Sequence, residues 1–302
     1  MTRAFFLFLS QNKRLRNWME KSSQARGVTR RFIAGETLEE ELSACEALQR
    51  SGILTTIDHL GENVTTLAAA DAARDMYLRV LDEIAARGLP ATIALKLTAL
   101  GLDQSQEACV SNLNALAAKA AAIGTRVEID MEDTRYTERT VHIAERAGAE
   151  FGCLRVAIQA YLYRSSGDIK RLSRAGVSVR LCKGAYIEPA ALAMPRKADV
   201  DRSYVALMSE LLDSGIVPAL ATHDERMIDA ILSRVRERAL SADRFEFEML
   251  HGIRRDLQHK LASQGFRVRV YVPFGREWYH YFMRRLAERP ANVWFLARNL
   301  FK

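Results

Sequence analysis

The sequence predicts an α/β fold, a (β/α)8 barrel. Three observations point there: eight short β-rich runs follow about residue 50, stretches with helical periodicity separate them, and no GxGxxG follows the first run. The runs are ILTTI (53–57), TIALK (92–96), RVEID (126–130), LRVAI (154–158), VSVRLC (177–182), VPALAT (217–222), FEFEM (245–249) and RVRVYV (267–272). Stretches such as 104–123 and 201–214 are rich in Ala, Leu, Glu and Arg, the composition of connecting helices. The missing glycine fingerprint counts against the competing architecture, an open doubly wound sheet. Residues 1–50 read as an N-terminal helical segment and 51–302 as the (β/α)8 barrel, closed by a helix after Pro290.

The 302 residues suit one large barrel or two ordinary domains, and 49% hydrophobic content supports a sizeable core. Net charge is +7, spread along the chain without a dense basic block, so nucleic acid is not expected as a partner. Cys45, Cys109, Cys153 and Cys182 form no CxxC pair and sit in apolar runs, as reduced core thiols of a cytoplasmic protein do. The histidines show no HExxH spacing, so no metal site is expected. The start, MTRAFFLFLSQNKRLRNWMEK, imitates a signal peptide for a few residues but lacks a cleavage site. An amphipathic helix packed on the body is expected there, with contact at a membrane surface as the alternative.

Barrel active sites lie at the C-terminal ends of the strands. Those ends are unusually polar here: Asp58 and Glu62 after the first run, then Lys96, Asp130 and Gln159. Arg180 and the Lys183–Gly184 turn follow, then Thr222–His223, Leu250–His251 and Tyr271. Lys96 and Asp130 end neighbouring strands, and pairing would relieve the cost of a buried lysine. Lys96 or Lys183 as a Schiff-base nucleophile of an aldolase is left open by the spacing. A non-enzymatic basic binding protein is a second rival. An arginine in a run as apolar as that around Arg180 must meet an anion or an electron-rich ring. The Lys-Gly turn permits close backbone approach to a phosphate, a weak signal alone. The irregular stretch 187–200 reads as a mobile flap.

Near the end, RVRVYVPFGREWYHYFMRRLAERP (267–290) reads as strand, Pro-Gly turn and helix. Helical spacing gathers Tyr281, Arg284, Arg285 and Glu288 on one side. Such an arginine pair suits bidentate grip of a carboxylate, although in isolation a solvated basic face explains it as well.

In order, DHLGE, KLTALG, VEIDMED, QAYLYRS, VRLCKGAY, ATHDERM, FEFEMLHG and YVPFGREWYHYFMRRLAERP resemble the motifs of the proline dehydrogenases, over residues 30–300. The resemblance implies a monofunctional bacterial member using FAD. Its barrel is distorted, a TIM barrel with the eighth helix over the mouth. It implies that Arg284, Arg285 and Lys96 hold the carboxylate of L-proline, that Leu250 and Tyr271 flank its ring and that Tyr281 supports the helix. Asp130 and Arg180 are the implied catalytic residues, Asp130 orienting Lys96 and Arg180 lying beside the flavin. Glu62 is the implied gate, pairing with Arg284. Met131, Gln159, Lys183, Gly184, Ala185, Thr222 and His223 match cofactor-binding positions. A quinone is the implied electron acceptor, giving the apolar start and mild basic excess a membrane-facing purpose at the inner face of the cytoplasmic membrane. The chain is too short for a second catalytic module, so a separate pyrroline-5-carboxylate dehydrogenase is expected downstream. Two positions depart from the pattern: His59 where a more apolar residue is expected, and Glu248 where an amide near the adenosine end is usual.

Overall fold

Eight parallel strands close into a barrel in chain order, with β8 returning to pair with β1. The computed structural model describes residue 29, residues 31–279 and residues 281–283. The expectations for residues 1–28, Arg284, Arg285, Glu288 and the final helix lie outside the described residues.

A first helix, α1 (Leu38–Gln49), precedes the barrel; Thr37 and Glu40 form a reciprocal capping box at its start. The barrel then runs β1 (Leu54–His59), α2 (Leu67–Arg87), β2 (Ala91–Leu95), α3 (Gln106–Ala122), β3 (Val127–Ile129), α4 (Thr134–Phe151), β4 (Leu154–Gln159) and α5 (Ser165–Arg174). It continues with β5 (Ser178–Cys182), α6 (Lys197–Asp213), β6 (Ala219–Ala221), α7 (Glu225–Glu237), β7 (Glu246–Leu250), α8 (Arg255–Ser263) and β8 (Val268–Phe274). Each of the eight expected runs became a strand, with no end moved by more than two residues. Asp58, expected in the loop after the first strand, is inside β1.

Alternation along each strand separates two environments. Ile57, Ile93, Val127, Val156, Val179, Leu220, Phe247 and Val270 point outward and join the core beneath the helices. Burying each such side chain is worth roughly 1.5–3 kcal/mol, so this outer layer carries most of the stability. The inward positions hold Thr56, Thr92, Glu128, Arg155, Arg180, Glu246, Glu248 and Arg269, all buried. Barrel interiors are ordinarily filled by branched aliphatic side chains. This one is filled by ions.

After β8 the chain turns at Gly275, whose φ of 118° suits glycine, and re-enters a helix at 278. Trp278, Tyr279, Tyr281, Phe282 and Met283 pack with Tyr271, Ala94, Leu60, Phe32 and Ile33, and Leu250 lies against them. Tyr271, Ala94 and Leu250 face inward near the C-terminal strand ends, so this helix starts over the mouth. Helix α6 begins at Lys197, shortening the irregular stretch expected over 187–200. That stretch is tied down: Glu188 accepts from the Thr134 N–H (2.8 Å) and hydroxyl (2.6 Å), and Met194 N–H donates to Tyr161 O (2.8 Å). Cys45 and Cys109 are buried and Cys153 and Cys182 half-buried, all four as free thiols.

Candidate active site

Four side chains from four strand ends converge at the mouth. Asp130, one residue past β3, accepts from the Tyr271 hydroxyl at 2.6 Å and from Arg180 Nη1 at 2.5 Å. Lys96, one residue past β2, places Nζ 3.6 Å from the same carboxylate. The Arg180 guanidinium also lies over the Tyr271 ring, 5.2 Å from its centroid. The pairing of Lys96 with Asp130 expected from neighbouring strands is therefore present. Burial would raise the Asp130 pKa, but Arg180 and Lys96 outweigh it and hold the carboxyl below its usual range. Burial, reinforced by Asp130, pushes the Tyr271 phenol well up, so it stays a donor.

Arg180 has two further carboxylate neighbours. Glu128 Oε2 accepts from Nη2 at 2.7 Å, and Glu248 Oε1 is 2.8 Å from Nε. Glu248, one of the two departures from the family pattern, thus lies beside Arg180. Alternation in β7 turns 246, 248 and 250 inward, and register sets Glu248 between Ala221 and Arg269, on Arg180. His59, the other departure, lies against the Phe274 ring at 5.0 Å. Burial lowers its pKa, so it packs as a neutral ring where an apolar residue was expected.

The expected cofactor positions lie at or just past the ends of β3, β4, β5 and β6. Gln159 is buried; its Nε2 donates to Glu132 O at 3.0 Å, and its Oε1 accepts from Ala185 N–H at 3.3 Å. Gly184 has φ 117°, and a Cβ there would meet the Tyr161 ring at 2.3 Å, so only glycine fits. Lys183 is paired with Asp201 (2.5 Å) and Asp224 (2.9 Å), two partners its motif did not reveal. Thr222 Oγ1 accepts from Asp224 N–H at 3.1 Å, and His223 Nε2 accepts from Leu250 N–H at 2.8 Å. Met131 packs into the main core. Leu250 and Tyr271 meet Tyr281, which is on the helix after β8, in one cluster. Glu62 is half-buried in the segment after β1, near enough to Glu132 to raise its pKa. Its expected partner Arg284 lies outside the described residues, as does Arg285.

Several groups were missed at the sequence level. Glu132 is buried, accepts from the Thr98 hydroxyl at 2.7 Å and is pushed up to about 7, chiefly by burial. Below the mouth, Glu246 binds Arg155 (3.1 Å) and Arg269 (2.8 Å). The signal was present: RVEID, FEFEM and RVRVYV place charges two residues apart in apolar strands, and LRVAI carries one at Arg155.

The donor set fits a flavin nucleotide. Gly184, at φ 117° against the Tyr161 ring, lets the backbone run close beside the Gln159 amide and Ala185 N–H, and Arg180 lies with Asp130 at the mouth.

Comparison with known proteins agrees with this geometry. The proline dehydrogenase family model matches residues 42–298. Proline dehydrogenase 1 of Bacillus subtilis strain 168 is 41% identical over the full length of both chains. Proline dehydrogenase of Deinococcus radiodurans is 39% identical over 91% of this chain and 90% of its own. Among solved structures, proline utilization A from Bdellovibrio bacteriovorus, inactivated by N-propargylglycine, superposes with a TM-score of 0.81 at 25% identity. That match covers 87% of this chain and 33% of the other, so the chain spans about a third of that protein. A family match over most of the length, with full-length relatives near 40% identity, means that this chain belongs to the proline dehydrogenase family of oxidoreductases.

Proposed function

We propose that the barrel binds FAD and oxidises L-proline to Δ1-pyrroline-5-carboxylate, the first step of proline catabolism to glutamate, with a quinone as final electron acceptor. The observation that carries this reading is the convergence of Lys96, Asp130, Arg180 and Tyr271 at the mouth, under an aromatic helix start. Bound FAD would supply the hydride acceptor, N5, for the hydrogen leaving proline C5. Met131, Gln159, Lys183, Gly184, Ala185, Thr222 and His223 would hold it.

The protein's own tasks are positioning, desolvation and charge control. Lys96 with Arg284 and Arg285 grips the proline carboxylate, a fork-and-point-charge combination that fixes the ring's orientation. Asp130 is the hub: it fixes Lys96, Arg180 and Tyr271 at once. Leu250 and Tyr271 bound the ring, and Tyr281 packs behind them. Glu62 serves as the gate through Arg284, and closure excludes water. The protein is cytoplasmic, with its apolar start available for peripheral contact at the inner face of the membrane; among the described residues no helix is long and apolar enough to cross one. Vesicle flotation with and without residues 1–20 tests that contact. A separate pyrroline-5-carboxylate dehydrogenase takes the product onward.

The deciding experiment is spectroscopic. The purified protein is expected to be yellow, with a flavin spectrum that bleaches anaerobically on adding L-proline, and N-propargylglycine is expected to inactivate it. A colourless protein, trapped by borohydride on a carbonyl substrate, would establish the lysine aldolase instead.

A further inference from the structure

Glu248 is 2% exposed, and its Oε1 lies 2.8 Å from Arg180 Nε. The contact is one of charge, because Nε is not aligned to donate, and the second oxygen, Oε2, has no hydrogen-bond partner. Leaving buried polar capacity unfilled is costly, and an apolar side chain would fill the same space without that cost. Packing therefore does not account for a carboxylate here, whereas the charge of Arg180 does.

We propose that Glu248 is a positioning residue for Arg180: it fixes the guanidinium from behind and balances its charge, and its proton occupancy sets the field the flavin meets. This rests on the flavin reading above. Arg180 on β5, Glu128 on β3, Arg155 on β4 and Arg269 on β8 act on Glu248, while β6 contributes only Ala219 and Ala221 inward. Burial pushes Glu248 up to about 7, with Glu128 adding to the rise and the three arginines opposing it. The other two carboxylates on Arg180 behave differently. Despite burial, Arg180 and its neighbours hold Glu128 at about 2 and Asp130 below its usual range, so both stay ionised. Glu248 is thus the member of the trio that exchanges a proton near neutrality. Ionised, it cancels Arg180; protonated, it leaves a stronger positive field, which favours the negatively charged reduced cofactor.

The test is the two-electron midpoint potential of the bound flavin, followed against pH in wild type, E248Q and E248D. Glutamine holds position 248 uncharged at every pH, as in the protonated state, so its share of the Arg180 charge stays uncancelled. At about pH 9 the E248Q flavin is expected to be about tenfold easier to reduce, about 30 mV more positive than wild type; by about pH 6 the two converge. E248D, which retains the charge, is expected to follow the wild-type curve. Equal wild-type and E248Q potentials throughout, with flavin bound in both, would overturn the proposal alone. A wild type without flavin would overturn the functional reading and this inference with it. If E248Q holds no flavin, the wild-type curve decides: a steeper pH dependence near neutrality supports the proposal, and a uniform slope overturns it.

Discussion

Glu246 is the residue on which the lower half of the barrel turns, and its replacement by glutamine should unfold the protein more readily without touching the mouth. The side chain is fully buried; Oε2 accepts from Arg155 Nη1 at 3.1 Å and Arg269 Nε at 2.8 Å, and Oε1 from Arg267 Nη2 at 2.6 Å. Glutamine keeps the volume but removes the charge and turns an N–H2 toward arginine donors. Removing one partner of a buried ion pair typically costs ~3–5 kcal/mol, a large part of a total stability of ~5–15 kcal/mol. For a chain of this size that is a fall in Tm of ~6–10 °C. Urea, which does not screen charges, is the suitable denaturant; the midpoint should fall at constant slope. The triple variant E246M/R155M/R269M should lose less than E246Q, because Glu128 keeps Arg180 as its partner and the cation left over, Arg267, is half-exposed. A loss under ~1 kcal/mol for E246Q, or a triple variant weaker than the single one, would refute this reasoning.

Lys96→Ala should lower proline turnover beyond any change in KM, since it loosens the substrate and unbalances Asp130; unaltered kinetics would reduce Lys96 to a structural role. Arg284→Met or Arg285→Met should raise the KM for proline strongly and leave flavin bound, and flavin loss with unchanged proline affinity would contradict the carboxylate grip. Acid should destabilise the barrel through Glu128, which is held at about 2 against an ordinary 4.5: burial opposes ionisation, but Arg180, Arg155 and Arg269 prevail. Its folded pKa is depressed, so its contribution, about 3 kcal/mol, is complete above the unfolded value and lost as pH falls from about 4.5 to about 2. Urea midpoints at neutral pH and at two acid points within that window check it, and E128Q should flatten the dependence.

The strands and their mouth-facing residues were legible because the signal is local. A short apolar run between turn residues marks a strand, and a polar residue at its end stands out. Lys96–Asp130 followed from neighbouring strands alone. Other features are set by register, which no single run contains. The alternation in FEFEM is plain, but only the pairing of Glu248 with Ala221 and Arg269 shows which face it shares and that Arg180 is on it. Lys183 reads as half of a Lys-Gly turn suited to a phosphate, or as a Schiff-base nucleophile. Its two aspartates come from Asp201 on α6 and Asp224 before α7, both distant in sequence. The start of α6 at Lys197 was hidden by the prolines before it, and the Glu188–Thr134 clasp spans 54 residues.

An interior built of ions would be a poor choice for stability alone, since aliphatic packing of equal volume is at least as favourable. The barrel's arrangement follows instead from Arg180. A guanidinium held rigidly at the mouth and shielded from water needs anionic neighbours, which Glu128, Asp130 and Glu248 provide. Three carboxylates close together need cations in turn. Lys96 meets Asp130 from the mouth side, while Arg155 approaches Glu128 at 3.5 Å from the floor. Arg155 shares Glu246 with Arg269 and Arg267, and Arg267 finally reaches the half-exposed lower edge. Compensation thus propagates strand by strand from one end of the barrel to the other, and the apolar outer layer carries the cost. A substitution at the floor is therefore expected to act on folding, whereas one at Glu248 acts on the chemistry at the mouth.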